Sequence, residues 1–114
     1  MDFQAQQVAL DSIAALRPLV TRIAGRDRAL ARQIRQAASS VCLNIAEGAG
    51  EHSRKEKGCF YRIAKRSAME CVAVLDVFRA IQLAVETEPG EELLLRIVSM
   101  LTKMVIGTES APES

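Results

Sequence analysis

Apolar residues recur at helical spacing along almost the whole chain. Val8, Ile13, Leu16, Val20 and Ile23 predict a first helix from about Gln4 to Ala24, stopped at Gly25. Pro18 falls inside that span. Because proline has no N–H to donate, the helix is expected to kink or break between Leu16 and Pro18. Asp27 is the residue type that caps a helix N-terminus, and the stripe Leu30, Ile34, Ala38, Val41 and Ile45 then carries a second helix into Gly48 and Gly50. Ala37 and Ala38 on that helix are small enough to admit a close neighbour. Ser53, with Glu56 three residues later, has capping-box spacing and opens a third helix, which the pattern extends to Glu86 before a turn at Pro89 and Gly90. A fourth helix is expected from Glu91 to about Ile106, acidic in its first turn as the helix dipole favours. The chain therefore reads as all-α, with one helical domain over residues 1–106. Residues 107–114, "GTESAPES", have nothing to bury and are expected to form a mobile tail.

The third helix is too long and too apolar for its neighbours. At ~1.5 Å per residue its 34 positions would span about 51 Å, against about 31 Å for the first helix. From Cys71 to Val85 only Asp76, Arg79 and Gln82 are polar, three apart on one narrow stripe, and the fourth helix is nearly as apolar. One accommodation is burial on two sides within a single subunit. The other, which the excess of apolar surface favours, is a homo-oligomer whose interface is built from the third and fourth helices.

Composition sharpens this picture. Of the 114 residues 49% are hydrophobic but only 4% aromatic, with no tryptophan, so the core must be aliphatic. The three cysteines, Cys42, Cys59 and Cys71, have no CxxC spacing and lie in helical patterns, as reduced, buried thiols do. No basic segment leads into an apolar one at the start, and no apolar run nears the ~20 residues that cross a bilayer, so a soluble cytoplasmic protein without membrane association is expected. The net charge is only +1, but it is unevenly distributed. Residues 17–36 carry six arginines against Asp27, residues 51–66 carry six basic against two acidic residues, and the segment from Glu86 onward is acidic. A locally basic surface follows, with Arg26, Arg28, Arg32, Arg35, Arg54, Lys55 and Lys57 as candidate nucleic-acid contacts.

Candidate chemistry is sparse. The glycines of "NIAEGAGEHSRKE" lack phosphate-loop spacing, and "GAG" follows a helix rather than the strand a dinucleotide site needs. His52, the single histidine, has neither metal-ligand spacing to a cysteine nor a partner for nucleophilic catalysis. Glu47 and Glu70 could in principle do acid–base work. If the second and third helices form an antiparallel hairpin turning near Gly50 and Glu51, facing residue numbers sum to roughly 101. Glu70 then faces Ala31 and its neighbours Arg28, Arg32 and Arg35, while Glu47 meets the free amides and positive dipole end of the third helix, far from Glu70. Structural roles are expected for both. Asn44 and Ser67 are short polar residues on buried stripes, tolerable only with their hydrogen bonds met. No catalytic residue, cofactor or metal is assigned, and the chain is not expected to be an enzyme.

The run "QIRQAASSVCLNIAEGAG", then "SRKE", then "FYRIAKRSAME" resembles the small four-helix-bundle proteins called 23S ribosomal RNA intervening-sequence proteins. The similarity spans about Leu30 to Leu75, with Asn44 to Gly48, Ser53, Glu56, Ala64, Ser67 and Glu70 at matching spacing. It implies an up-and-down antiparallel four-helix bundle, commonly a homopentamer, without known catalysis. It also implies a connection to nucleic acid by association only, because some members are encoded within ribosomal RNA gene inserts; a related branch, the accessory proteins of diversity-generating retroelements, is similar in fold and works by binding a reverse transcriptase and nucleic acid. Glu51 stands where an arginine is usual and Arg66 where glycine is frequent, and the first change takes positive charge from the turn. The function expected is that of a non-enzymatic oligomeric scaffold or adaptor with an RNA or ribonucleoprotein connection. The alternative is direct nucleic-acid binding through basic residues repeated around the oligomer.

Overall fold

The computed structural model describes residues 3–82 and 86–110. Among the described residues are five helices: α1 (Phe3–Ala15), α2 (Arg17–Arg26), α3 (Arg28–Ala49), α4 (Arg54–Ile81) and α5 (Glu88–Ser110). There is no strand among the described residues. α3 and α4 run antiparallel, as do α4 and α5, and these are the two most extensive pairings. α1 and α2 lie against α3, with α1 also touching α5.

Each boundary has a local cause. Pro18 sits in the first turn of α2, where a missing N–H costs nothing, and the expected break falls at Leu16 alone. Leu16 keeps helical dihedrals (φ −78°, ψ −12°), and its N–H still donates to Ser12 O at 3.2 Å and Ile13 O at 3.1 Å. The arm is therefore interrupted at one residue without being severed. Asp27 closes α2 by donating its N–H to Ile23 O at 2.7 Å and caps α3 by accepting from Leu30 N at 3.0 Å. Gly50 ends α3, and Ser53 Oγ accepts from Glu56 N at 3.1 Å to start α4.

Three expectations need correction. α4 ends at Ile81, capped by Gln82, rather than at Glu86; residues 83–85 of the expected helix lie outside the described residues. Pro89 and Gly90 do not form a turn ahead of the last helix but lie in the first turn of α5. A proline there needs no donor, and a Cβ on Gly90 would come within 2.8 Å of Leu19 Cδ2. Finally, α5 continues through residues 107–110 of the expected tail; residues 111–114 lie outside the described residues. The extension is held by contacts to α4. Glu109 pairs with Arg62 at 2.9 Å, and a Cβ on Gly58 would meet Thr108 Oγ1 at 2.7 Å. At the opposite end Arg79 contacts Asp76 at 2.9 Å, Glu91 at 3.0 Å and Thr87 Oγ1 at 3.4 Å, clamping the end of α4 to the start of α5.

The core is mainly aliphatic, with Leu16, Ile23, Ile34, Ile45, Leu94, Ile97 and Leu101 among its fully buried members. Two aromatic rings, Tyr61 and Phe78, are the largest buried side chains. Tyr61 explains the glycine in "AEG". A Cβ on Gly48 would press into the Tyr61 ring, 2.8 Å from Cδ1, so α3 and α4 approach closely only because that position has no side chain. Substituting Gly48→Ala is expected to destabilise the fold by about 1–3 kcal/mol, as overpacking does, despite alanine's better helix propensity; urea denaturation checks it.

Candidate interaction faces

The α3–α4 joint is polar at two levels. In its middle, Ser67 Oγ and Ser40 Oγ share a hydrogen bond of 2.7 Å, and Asn44 Nδ2 donates to Ser40 O at 2.8 Å and to Ser40 Oγ at 3.1 Å. Asn44 and Ser67 therefore meet through Ser40, which links the helices where small residues bring them together. At the tip, Lys57 Nζ donates to Gly48 O at 3.1 Å and Ala49 O at 3.2 Å, neutralising the carbonyl end of α3. That is the opposite of the arrangement expected, in which Glu47 would serve the amide end of α4. Glu47 is exposed and makes no hydrogen bond or ion pair among the described residues. The amide end is served by Ser53 instead.

Glu70 also departs from expectation. The pairs Gly48–Tyr61, Ser40–Ser67 and Ile34–Cys71 place α4 about one to two turns along α3 from the assumed register, which carries Glu70 past Arg28 and Arg32. It is exposed and unpaired among the described residues. Register was the quantity that periodicity alone left free.

The seven basic candidates separate into two groups. Arg28, Arg32 and Arg35 are exposed at helical spacing on α3, beside Arg26, which donates to Gln82 Oε1 at 3.1 Å. Arg54, Lys55 and Lys57 lie at the other end of the hairpin, about 30 Å away along α3. Lys57 is already committed to the α3 carbonyls. Within this turn Glu51 and Glu56 crowd each other, and the hydrogen bond between them pushes the Glu51 carboxyl above its ordinary range. His52 is exposed, and no cluster of three metal-ligating side chains forms among the described residues. None of the described helices is long and apolar enough to cross a membrane.

The largest feature the sequence hinted at lies on the outside of α4. Ile63, Arg66, Glu70, Ala73, Val77 and Ile81 recur every three or four residues, flanked by Cys59, Met69 and Ala80, and all nine are exposed. Only two are charged. Met69, Val77 and Ile81 are 52%, 46% and 59% exposed. A second apolar feature, which the sequence reading did not single out, is a groove of about 710 Å³ between the α1–α2 arm and α3. Leu10, Ile13, Val20 and Leu43 are among the residues that line it, with Arg17 and Arg35.

The thiols sort by burial. Cys71 is buried against Ile34 O, and desolvation pushes its pKa to about 12, helped by the Glu70 charge; burial also raises Cys42, while Cys59 is exposed. A thiol reagent at neutral pH is expected to reach Cys71 only on unfolding, as peptide mapping would show. The Glu51 shift has a defined sign. A carboxyl raised in the fold stabilises below its unfolded pKa and loses that contribution as pH rises through the folded value. Glu51→Gln is therefore expected to raise the melting temperature at pH 7 and to match the native chain below the carboxylate range.

Comparison with known proteins agrees with this architecture. No curated protein matches the chain. Among solved structures, a protein of unknown function from the S23 ribosomal protein family of Bacteroides thetaiotaomicron superimposes with a TM-score of 0.79. It shares 17% identity, over 89% of this chain and 97% of that one, which establishes a common fold. The profile of the 23S rRNA-intervening sequence protein family matches residues 2–107, nearly the whole chain. The chain belongs to the 23S rRNA-intervening sequence protein family.

Proposed function

We propose that this chain is a non-enzymatic building block that assembles with copies of itself and serves as a scaffold or adaptor. In this reading the α1–α2 arm, α3, α4 and α5 make an up-and-down antiparallel four-helix bundle, and the outer face of α4 is covered in the assembly. The observation that carries it is the α4 stripe: seven apolar residues exposed along the helix, on the face turned away from α3 and α5. Burying the half-exposed Ile63, Met69, Val77 and Ile81 is worth about 1 kcal/mol each, a favourable contribution to which the rest of an interface must add. Five copies is the number the family resemblance implies, and a cytoplasmic location is the expectation drawn from the sequence. The family's name connects it to 23S rRNA, so an RNA or ribonucleoprotein is the class of partner such a scaffold would engage.

Direct nucleic-acid binding is a second reading, favoured by the exposed Arg28, Arg32 and Arg35 ridge on α3. The separation of the basic residues into two groups and the commitment of Lys57 weigh against it as the main activity. Titration with structured RNA at low and near-physiological salt tests the second reading. Binding with a steep salt slope supports the second, and no binding at low salt removes it. For the first, light scattering at micromolar concentration is expected to give a multiple of the 12.4 kDa chain mass, and Val77→Asp to lower that mass with helicity unchanged. A native chain that stays monomeric would refute the reading.

A further inference from the structure

The α4 stripe and the groove between the α1–α2 arm and α3 are complementary. The stripe is an apolar ridge interrupted near its middle by Arg66 and Glu70, one turn apart; the groove is an apolar channel with Arg17 from one wall and Arg35 from the other. Among the described residues none of Glu70, Arg17 and Arg35 has an ion-pair partner, and Arg66 is not within ion-pair distance of Glu70. An unpaired carboxylate amid apolar residues, and two unpaired arginines beside an apolar channel, are each costly to desolvate alone. Together they satisfy one another.

We infer that α4 of one copy docks into the α1–α2/α3 groove of the next, placing Glu70 against Arg17 and Arg35, so that the interface is head-to-tail. This rests on the assembly proposed above and names the surface that meets the stripe. The stripe lies on one helix and the groove between two others, so each copy presents two different surfaces, as a heterologous contact requires. The two surfaces are not back to back, because α3 belongs to the groove and also packs directly on α4. Successive copies therefore turn rather than run straight, and a ring forms where that turn closes on itself.

A head-to-tail interface can be tested by mixing two defective copies. Val77→Asp spoils the stripe and Leu43→Asp spoils the groove; both positions are surface-exposed, Leu43 at 65%, so the folded subunit should tolerate them, which circular dichroism verifies. Each variant alone is expected to be monomeric. An equimolar mixture is expected to give a 1:1 heterodimer and nothing larger, since it retains one intact stripe and one intact groove. Two results would overturn the inference while leaving the assembly itself intact: a Leu43→Asp variant that assembles like the native chain, or monomeric variants that form no heterodimer on mixing. A monomeric native chain would instead refute the proposed assembly. Charge reversal checks the ion pair. Glu70→Arg should weaken assembly at least about 30-fold, and adding Arg35→Glu in the same chain should recover most of the loss. Undiminished assembly of Glu70→Arg would remove Glu70 from the interface.

Discussion

The approach of α4 to α3 is the constraint from which the remaining structure follows. It is set by absent side chains as much as by present ones. Gly48 leaves room for the Tyr61 ring, Ala37, Ala38, Ala64 and Ala68 are all buried, and the hydroxyls of Ser40 and Ser67 meet where bulkier groups would hold the helices apart. Dispersion between closely packed backbones and small side chains replaces the large aromatic core this chain lacks. Once the hairpin is set, Lys57 can reach the carbonyl end of α3, and α5 can lie against α4 with Arg79 fastening one end of the pair and Arg62 the other.

That arrangement gives α4 two different sides. One carries Tyr61, Ala64, Ala68, Cys71, Leu75 and Phe78 into the core; the other turns Ile63, Met69, Val77 and Ile81 towards water. Isolated exposed apolar residues are ordinary on protein surfaces, but a continuous stripe on a helix of 28 residues is not. The α1–α2 arm matters for the same reason. A groove lies between it and α3, so the chain has both an apolar ridge carrying Glu70 and an apolar channel carrying Arg17 and Arg35.

Much of the helical layout was legible in the sequence because it depends on local chemistry. Asp27 and Ser53 cap the helices that the pattern assigns to them, and the first arm breaks at Leu16, within the expected span. Gly90 misled because a turn residue and a packing residue look alike in one sequence; only the proximity of Leu16 and Leu19 shows which it is. The extent of α5 was underestimated because Gly107 and the polar residues after it look like a tail until Arg62 and Gly58 are seen beside them. The interaction surfaces were harder to read. The apolar excess of α4 was visible from its composition, but the assignment of Glu70 to an arginine of the preceding helix depended on a hairpin register that no periodic pattern determines. Lys57 was counted as a surface cation because nothing in its spacing reveals that it folds back onto Gly48 and Ala49. The groove, with Arg17 and Arg35, joins segments distant in sequence and had no local signature.

The central claim is that the outer face of α4 is covered in solution, and Met69 reports on it directly. Its side chain is 52% exposed in the isolated chain, so hydroxyl-radical or peroxide footprinting should modify it readily if the face is free. The account predicts that Met69 is protected in the native protein at micromolar concentration and becomes reactive in Val77→Asp. Oxidation of native Met69 as rapid as in that variant would contradict it.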